Sequence, residues 1–249
     1  FWSGGFGTLG AYRQHLQPYR SPDLDKIPAE FRGPDDLWVG TNVHIMVLMV
    51  NERQLKGLPA PATWSDLMQP QWKGKFAITD PSKSGTAYML VYGLYKQFGQ
   101  EGLDRIAANA VVTASSGTTY KGVAAGEYAV GMTLEYAAQE YVAGGQKEIK
   151  LVYPSEGSYL APEGMFIIKG AKNLDAAKAL YDGLLSKEAQ EAQLVKNFRR
   201  PTRTDIAVAS LTTLPDFKSI KIFPVSQDAA AKEYEAVVTA WNQAVAKAK

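Results

Sequence analysis

The junction at residues 76–95 does most to limit what this chain can fold into. Phe76, Ala77, Ile78 and Thr79 form a short β-leaning apolar run, and Asp80, Pro81 and Ser82 form a turn cluster. Ser84, Gly85 and Thr86 then open a segment in which Met89, Leu90, Tyr92, Leu94 and Tyr95 share one broad helical face. A strand, a small-hydroxyl turn and a helix start, in that order, make an anion-binding element. The first N–H groups of a helix have no partner within it, the peptide dipoles place partial positive charge there, and Ser84 and Thr86 add hydroxyl donors. Gly85 admits close approach to the backbone. An ordinary N-cap uses the same residue types, so this element alone does not separate a cap from a ligand site.

A second copy of the same chemistry favours the ligand. Thr113, Ser115, Ser116, Thr118 and Thr119 surround Gly117, the apolar pair Val111 and Val112 precedes them, and Tyr120, Val123 and Ala124 begin another helical pattern. Two such helix starts predict two N-termini aimed at one ligand. An anion held by hydroxyls and backbone amides, rather than by a cluster of arginines, fits a phosphate or phosphonate that must be released again. Neither loop carries the spacing of a nucleotide P-loop.

Composition narrows the function further. With 249 residues, 46% of them hydrophobic, the chain has material for two cores. Its 27 basic and 25 acidic residues leave a net charge of +2, which is no nucleic-acid footprint. No run of eighteen apolar residues predicts a membrane span. Cysteine is absent, which excludes thiolate metal sites, thiol nucleophiles and disulfides together. The two histidines, His15 on a predicted helix and His44 in an apolar run, stand in no metal-ligand spacing. Asp80, Glu135 and Glu163 are the acids that an enzyme would have to use, and no base or metal set accompanies the hydroxyl loops. A binding protein is expected, without cofactor or metal.

Along the chain, Phe1 and Trp2 read as the end of a strand entering a glycine-rich loop, in which Ser3, Gly4, Gly5 and Gly7 bend toward a ligand, and a helix carrying Leu9, Tyr12 and Leu16 follows. Such a start predicts that a segment precedes Phe1. Residues 37–50 are apolar and β-branched, interrupted by Gly40, Thr41 and Asn42, and predict one long strand or two joined by a bend. Thr63 and Asp66 have the spacing of a capping box. Helices are expected at 100–109, 133–141, 174–185, 187–198 and 227–246, with Glu135 and Tyr136 at the start of the second. Strands are expected at 128–132, 150–153 and 165–169, with a Gly/Pro-rich connection at 154–164. Arg199, Arg200 and Arg203 could meet a second anion, but a solvated basic turn is the favoured reading. The alternation of strands and helices predicts an α/β fold with largely parallel sheets.

The order of these features resembles a known family. The Phe1–Gly5 strand end, the run from Pro61 through Thr63, Trp64, Asp66 and Leu67, the run from Gln71 through Trp72 to Lys75, the Ser84-Gly85-Thr86 loop, Ala125-Gly126-Glu127, Gly170 through Asn173 and Ala177 through Leu180 are together similar to the ferric-type periplasmic solute-binding proteins of ABC importers. The resemblance implies a two-lobed periplasmic-binding-protein fold of type II, with a hinge and a ligand cleft between lobes. Residues 1–45 and 160–225 would form lobe 1, and residues 46–159 and 226–249 lobe 2. It also implies a strand–helix–strand unit ahead of Phe1, a removed signal peptide, a periplasmic location in a Gram-negative bacterium, a monomer and a membrane permease as partner.

In the ferric members iron is held by adjacent tyrosines, a loop acid and an N-terminal histidine. Here the tyrosine pair falls on Tyr136 and Ala137 and the loop acid on Gly4, so the resemblance keeps the anion site and loses the metal site. It implies a phosphorylated organic solute, either a sugar phosphate or 2-aminoethylphosphonate. Ser84, Gly85, Thr86, Ser115, Ser116, Gly117, Thr118 and Thr119 would hold the phosphoryl oxygens, and Ser3, Gly4 and Gly5 would close from the other lobe. Glu135, Tyr136 and Glu163 would meet hydroxyls or an ammonium, with a slight preference for the amine because a carboxylate facing –NH₃⁺ makes a charge-assisted hydrogen bond. A ferric-iron carrier, a sensor subunit and an α/β phosphoryl-handling enzyme are the competing expectations.

Overall fold

A computed structural model describes residues 1–5 and 9–248. In chain order the strands are β1 (Trp2–Gly5), β2 (Leu16–Gln17), β3 (Val39–Asn51), β4 (Phe76–Thr79), β5 (Ala110–Thr113), β6 (Val130–Leu134), β7 (Ile149–Val152), β8 (Leu160–Met165), β9 (Ile167–Ile168) and β10 (Arg200–Pro201). The α-helices are α1 (Gly85–Asn109), α2 (Ser116–Ala125), α3 (Glu135–Ala143), α4 (Leu174–Leu185), α5 (Lys187–Asn197), α6 (Val208–Leu211), α7 (Gln227–Lys232) and α8 (Tyr234–Lys247). The chain divides into two compact units, Phe1–His44 with Ala161–Ser219 and Ile45–Leu160 with Ile220–Lys249. Residues 37–50 resolve into one long strand, β3, which runs without a break from the first unit into the second and is buried along its whole length. Gly40, Thr41 and Asn42 lie inside it and do not bend it into two.

The second unit is built on parallel strands. β4 pairs with β5 from Phe76↔Ala110 to Thr79↔Thr113 and with β6 at Phe76↔Val130, while β3 runs antiparallel to β6 and to β7. The sheet is therefore mixed, because β3 enters this unit against the direction of the strands that its helices connect. Ile45, Val47, Met49, Val123, Ala138, Ile149 and Ile220 form its apolar cluster. Burying each of its Val, Ile and Met side chains contributes about 1.5–3 kcal/mol. Ser84 and Ser115 cap α1 and α2, accepting hydrogen bonds from Ala87 N at 3.3 Å and Thr118 N at 3.1 Å. The Thr63–Asp66 pair makes its reciprocal bonds, Thr63 N to Asp66 Oδ2 and Asp66 N to Thr63 Oγ1, both 3.0 Å, but opens a single 3-10 turn, Ser65–Met68.

The two helices expected on either side of residue 99 follow one another within α1, broken at Gly99, whose φ of +65° and ψ of −163° are open to glycine alone. The helix expected at 227–246 is instead two: Glu233, at φ −92° and ψ 5°, separates α7 from α8. Val237, Ala240, Trp241 and Ala244 of α8 are buried, and Gln100 donates to Ala240 O at 3.1 Å, which holds α8 along α1.

In the first unit β1 pairs with β8, β2 with β9 and β10 with β3, all antiparallel. Leu24, Ile27, Val39, Met165, Ile167, Tyr181 and Leu185 form the main apolar cluster. The basic turn is not solvated. Arg200 is 2% and Arg203 7% exposed. Arg203 donates to Leu185 O and meets Asp23 and both oxygens of Asp205, each at 2.9 Å, while Arg200 donates to Pro215 O at 2.8 Å. Buried guanidinium groups are tolerated where their donors are met; here the distant Asp23 and the neighbouring Asp205 meet Arg203, and a backbone carbonyl meets Arg200.

Candidate functional site

Both hydroxyl loops lie in the second unit, and the structure brings them together. β4 and β5 end in register at Thr79 and Thr113, so the loops that follow leave the sheet side by side. Asp80 Oδ1 accepts from Ser82 N and Oγ at 2.8 Å, which turns the first loop. Ser84 Oγ then lies 2.9 Å from Thr86 Oγ1 and 3.3 Å from Ser116 Oγ, so the N-termini of α1 and α2 share one hydroxyl cluster. Ser115 Oγ lies 2.9 Å from Thr118 Oγ1, and both residues are exposed. Gly85 is exposed and Gly117 half-buried beside them. No α-carbon substituent crowds Gly85, which leaves the first turn of α1 accessible.

A small pocket, partly open to solvent, sits at these loops. Thr79, Thr86, Ser116 and Thr133 supply its polar wall, and Met46, Leu90, Met132 and Leu134 its apolar wall. Sequence reasoning missed Thr133. It is 4% exposed, and its Oγ1 has no hydrogen-bond partner among the described residues. A buried hydroxyl left unpaired costs about 1–3 kcal/mol, a penalty that a ligand atom in this pocket would remove. The only signal in the sequence is a lone threonine in a strand, which carries no message without the neighbours. Thr119 behaves in the opposite way. It is fully buried, with its Oγ1 2.6 Å from Thr113 Oγ1 and 2.8 Å from Thr79 Oγ1, and so it supports the loops from beneath.

The acidic candidates have partners of their own. Glu135, the first residue of α3, is 2% exposed and accepts from Tyr153 Oη at 2.6 Å, and Tyr136 beside it is half-buried. In the first unit, Glu163 lies on β8 rather than in a connecting loop. Its Oε2 accepts from Arg199 Nη1 at 2.6 Å and from Asn42 Nδ2 at 2.8 Å. His44 Nε2 lies 3.7 Å from the same oxygen. Burial pushes the His44 imidazole down to about 4, with Glu163 working against the shift and Arg199 with it, so the ring is neutral at neutral pH. Ser3, Gly4 and Gly5 belong to β1, whose backbone pairs with β8 from Trp2↔Met165 to Gly5↔Glu163, so these three are strand rather than loop residues. Gly7, the last glycine expected in it, lies outside the described residues. Among those residues no group of three or more His, Asp or Glu side chains is placed to hold a metal, and no helix is long and apolar enough to cross a membrane.

The family model described as bacterial extracellular solute-binding protein matches residues 2–222. The chain belongs to that family. It is thus a binding protein rather than an enzyme, with the α/β fold of the periplasmic binding proteins. The solved structure of the periplasmic binding protein AfuA from Actinobacillus pleuropneumoniae, with exogenous fructose-6-phosphate bound, is 28% identical and superposes with a TM-score of 0.86 over 98% of this chain and 82% of AfuA. Iron uptake protein A1 of Synechocystis is 26% identical over 82% of this chain, and a putative 2-aminoethylphosphonate-binding periplasmic protein of Salmonella typhimurium is 31% identical over 63%. The chain spans 61% of the Synechocystis protein and 49% of the Salmonella protein.

Proposed function

We propose that this chain is the periplasmic solute-binding component of an ABC importer in a Gram-negative bacterium, and that its solute carries a phosphate or phosphonate group. The observation that carries this reading is the pocket in the second unit, where the buried, unpartnered hydroxyl of Thr133 sits with Thr86 and Ser116 at the N-termini of two helices. Two helix ends and several neutral hydroxyls stabilise a compact dianion without an arginine. Release then requires no ion pair to break. The apolar wall of Met46, Leu90, Met132 and Leu134 suits the carbon side of an organophosphate rather than a fully hydrated ion. The fructose-6-phosphate of AfuA supports the same class.

Glu163 is already paired with Arg199, and Glu135 accepts from Tyr153 while keeping its charge, so we weigh an amine-bearing and a hydroxyl-bearing solute equally. A sugar phosphate and 2-aminoethylphosphonate remain equal members of the proposed class. Delivery to a membrane permease and the monomeric state belong to the same proposal.

Thermal shift of the purified protein tests it, with fructose 6-phosphate, glucose 6-phosphate, 2-aminoethylphosphonate, inorganic phosphate and ferric citrate as the panel. A ligand at a hundred times its Kd adds about 2.7 kcal/mol to stability. A shift with an organophosphate that is lost in Ser116→Ala and Thr133→Val is the expected result. A shift with ferric citrate alone would replace the reading with that of an iron carrier.

A further inference from the structure

We propose that the hydroxyl of Thr119 is a positioning group for the phosphoryl pocket, tying both ligand loops to a single buried point. The inference rests on the phosphoryl reading above. Thr119 lies four residues after the cap Ser115, one turn into α2, and faces inward at 0% exposure. Its Oγ1 is bonded to the last residue of each loop-bearing strand, Thr113 of β5 at 2.6 Å and Thr79 of β4 at 2.8 Å. Thr113 Oγ1 also donates within reach of Ser115 O at 3.2 Å, and Thr113 O accepts from Asp80 N at 2.9 Å. The first loop therefore leaves from Thr79, the second from Thr113, and the helix that ends the second loop returns its own hydroxyl to both departure points.

Stability does not require this arrangement. Three valines would fill the same volume with no polar atom to satisfy, and replacing both partners of a buried hydrogen bond by apolar groups of the same shape is close to neutral. A hydroxyl is directional where a methyl is not, and direction is what the pocket needs. The 3.3 Å separation of Ser84 Oγ and Ser116 Oγ is set by how β4, β5 and α2 are registered at this point. A site held to within about 0.5 Å by supporting hydrogen bonds binds with less reorganisation.

The test is calorimetric titration of the organophosphate that shifts the wild-type protein, applied to Thr113→Val/Thr119→Val, Thr119→Val, Thr119→Ser and, as a control in β7, Ile149→Val. Each is paired with a urea melt. The double variant leaves the buried Thr79 hydroxyl without either hydroxyl partner, so its urea midpoint is expected to fall moderately, while its Kd rises about tenfold. Thr119→Ser, which keeps the hydroxyl, is expected within about threefold of wild type. Thr119→Val leaves Thr113 its bond to Ser115 O and Thr79 only a long contact with Thr113, and should lose affinity with a smaller loss of stability than the double variant. Ile149→Val should lose stability without affinity. Should the double variant fail to fold, the contrast between Thr119→Val and Thr119→Ser carries the same decision. Wild-type Kd values in every valine variant would overturn the inference and leave the phosphoryl reading standing. Failure of the wild-type protein to bind any organophosphate would overturn both.

Discussion

Replacing Glu163 by Gln keeps the shape of the side chain and removes its charge, which leaves the Arg199 guanidinium without its counter-ion. The two groups meet at 2.6 Å, with side chains only 23% and 15% exposed. Two unit charges about 4 Å apart attract by ~4 kcal/mol at an effective dielectric near 20. Desolvation offsets part of that, and hydrogen bonds to charged groups contribute about 1.5–3 kcal/mol net. Asn42 Nδ2, 2.8 Å from the same oxygen, satisfies one lone pair whether or not the charge is present. A coupling energy of about 2 kcal/mol between Glu163 and Arg199 follows for a pair shielded to this degree. Urea denaturation of wild type, Glu163→Gln, Arg199→Met and the double variant at pH 7 closes the cycle. Each single variant should lose about 2–3 kcal/mol and the double variant little more than either. Because the pair is shielded, about 1 M salt should leave most of the coupling intact. A coupling below about 0.5 kcal/mol, or one abolished by salt, would place the pair among solvated surface contacts and refute the reasoning.

Three further outcomes are expected. The His44 imidazole sits at about 4 in the folded chain against 6.5 unfolded. The unfolded chain therefore binds the extra proton between those values, and stability present above pH 6.5 is lost as the pH falls toward 4. His44 faces Glu163 and Arg199. His44→Gln should flatten that part of the profile, and melting temperatures at pH 7 and pH 5 that fall equally in both proteins would refute it. At Gly93 on α1, a Cβ would come within 2.4 Å of the ring of Tyr159, which stacks on Trp64 at a centroid distance of 5.2 Å. Gly93→Ala is expected to cost about 1–3 kcal/mol by overpacking, and an unchanged urea midpoint would count against that contact. Gly99 has open space around its missing Cβ, so Gly99→Ala should lose about 1–3 kcal/mol through its backbone conformation alone. A calorimetric melt with the wild-type midpoint would exclude that strain.

Much of the second unit was legible because its signals are local. The caps at Ser84 and Ser115, the reciprocal Thr63–Asp66 pair and the strand–turn–helix order around both loops depend on residues within a few positions of one another, and the structure repeats them. The lobe boundaries and ligand contacts drawn from the resemblance remain proposals. The last helix was read as one run over residues 227–246, whereas Glu233 leaves helical geometry without any sequence signal of a break. The arginines were misread for another reason. Arg203 finds Asp23 and Arg199 finds Glu163 across long stretches of chain, and a basic turn looks solvated until those acids arrive.

Thr118 and Thr119 mark the division between the two kinds of information. Composition and spacing were enough to establish hydroxyl-rich loops at two helix starts, since capping and the helix dipole act over one turn. Spacing could not say which hydroxyls face a ligand. Adjacent residues on a helix point about 100° apart, and only packing against β4 and β5 turned Thr119 inward to Thr79 and Thr113 while leaving Thr118 exposed. The same packing brought Thr133, from a strand that is distant in sequence, to the wall of the pocket. Local chemistry wrote the loops; the β4–β5–β6 sheet beneath them decided which of their atoms stay exposed.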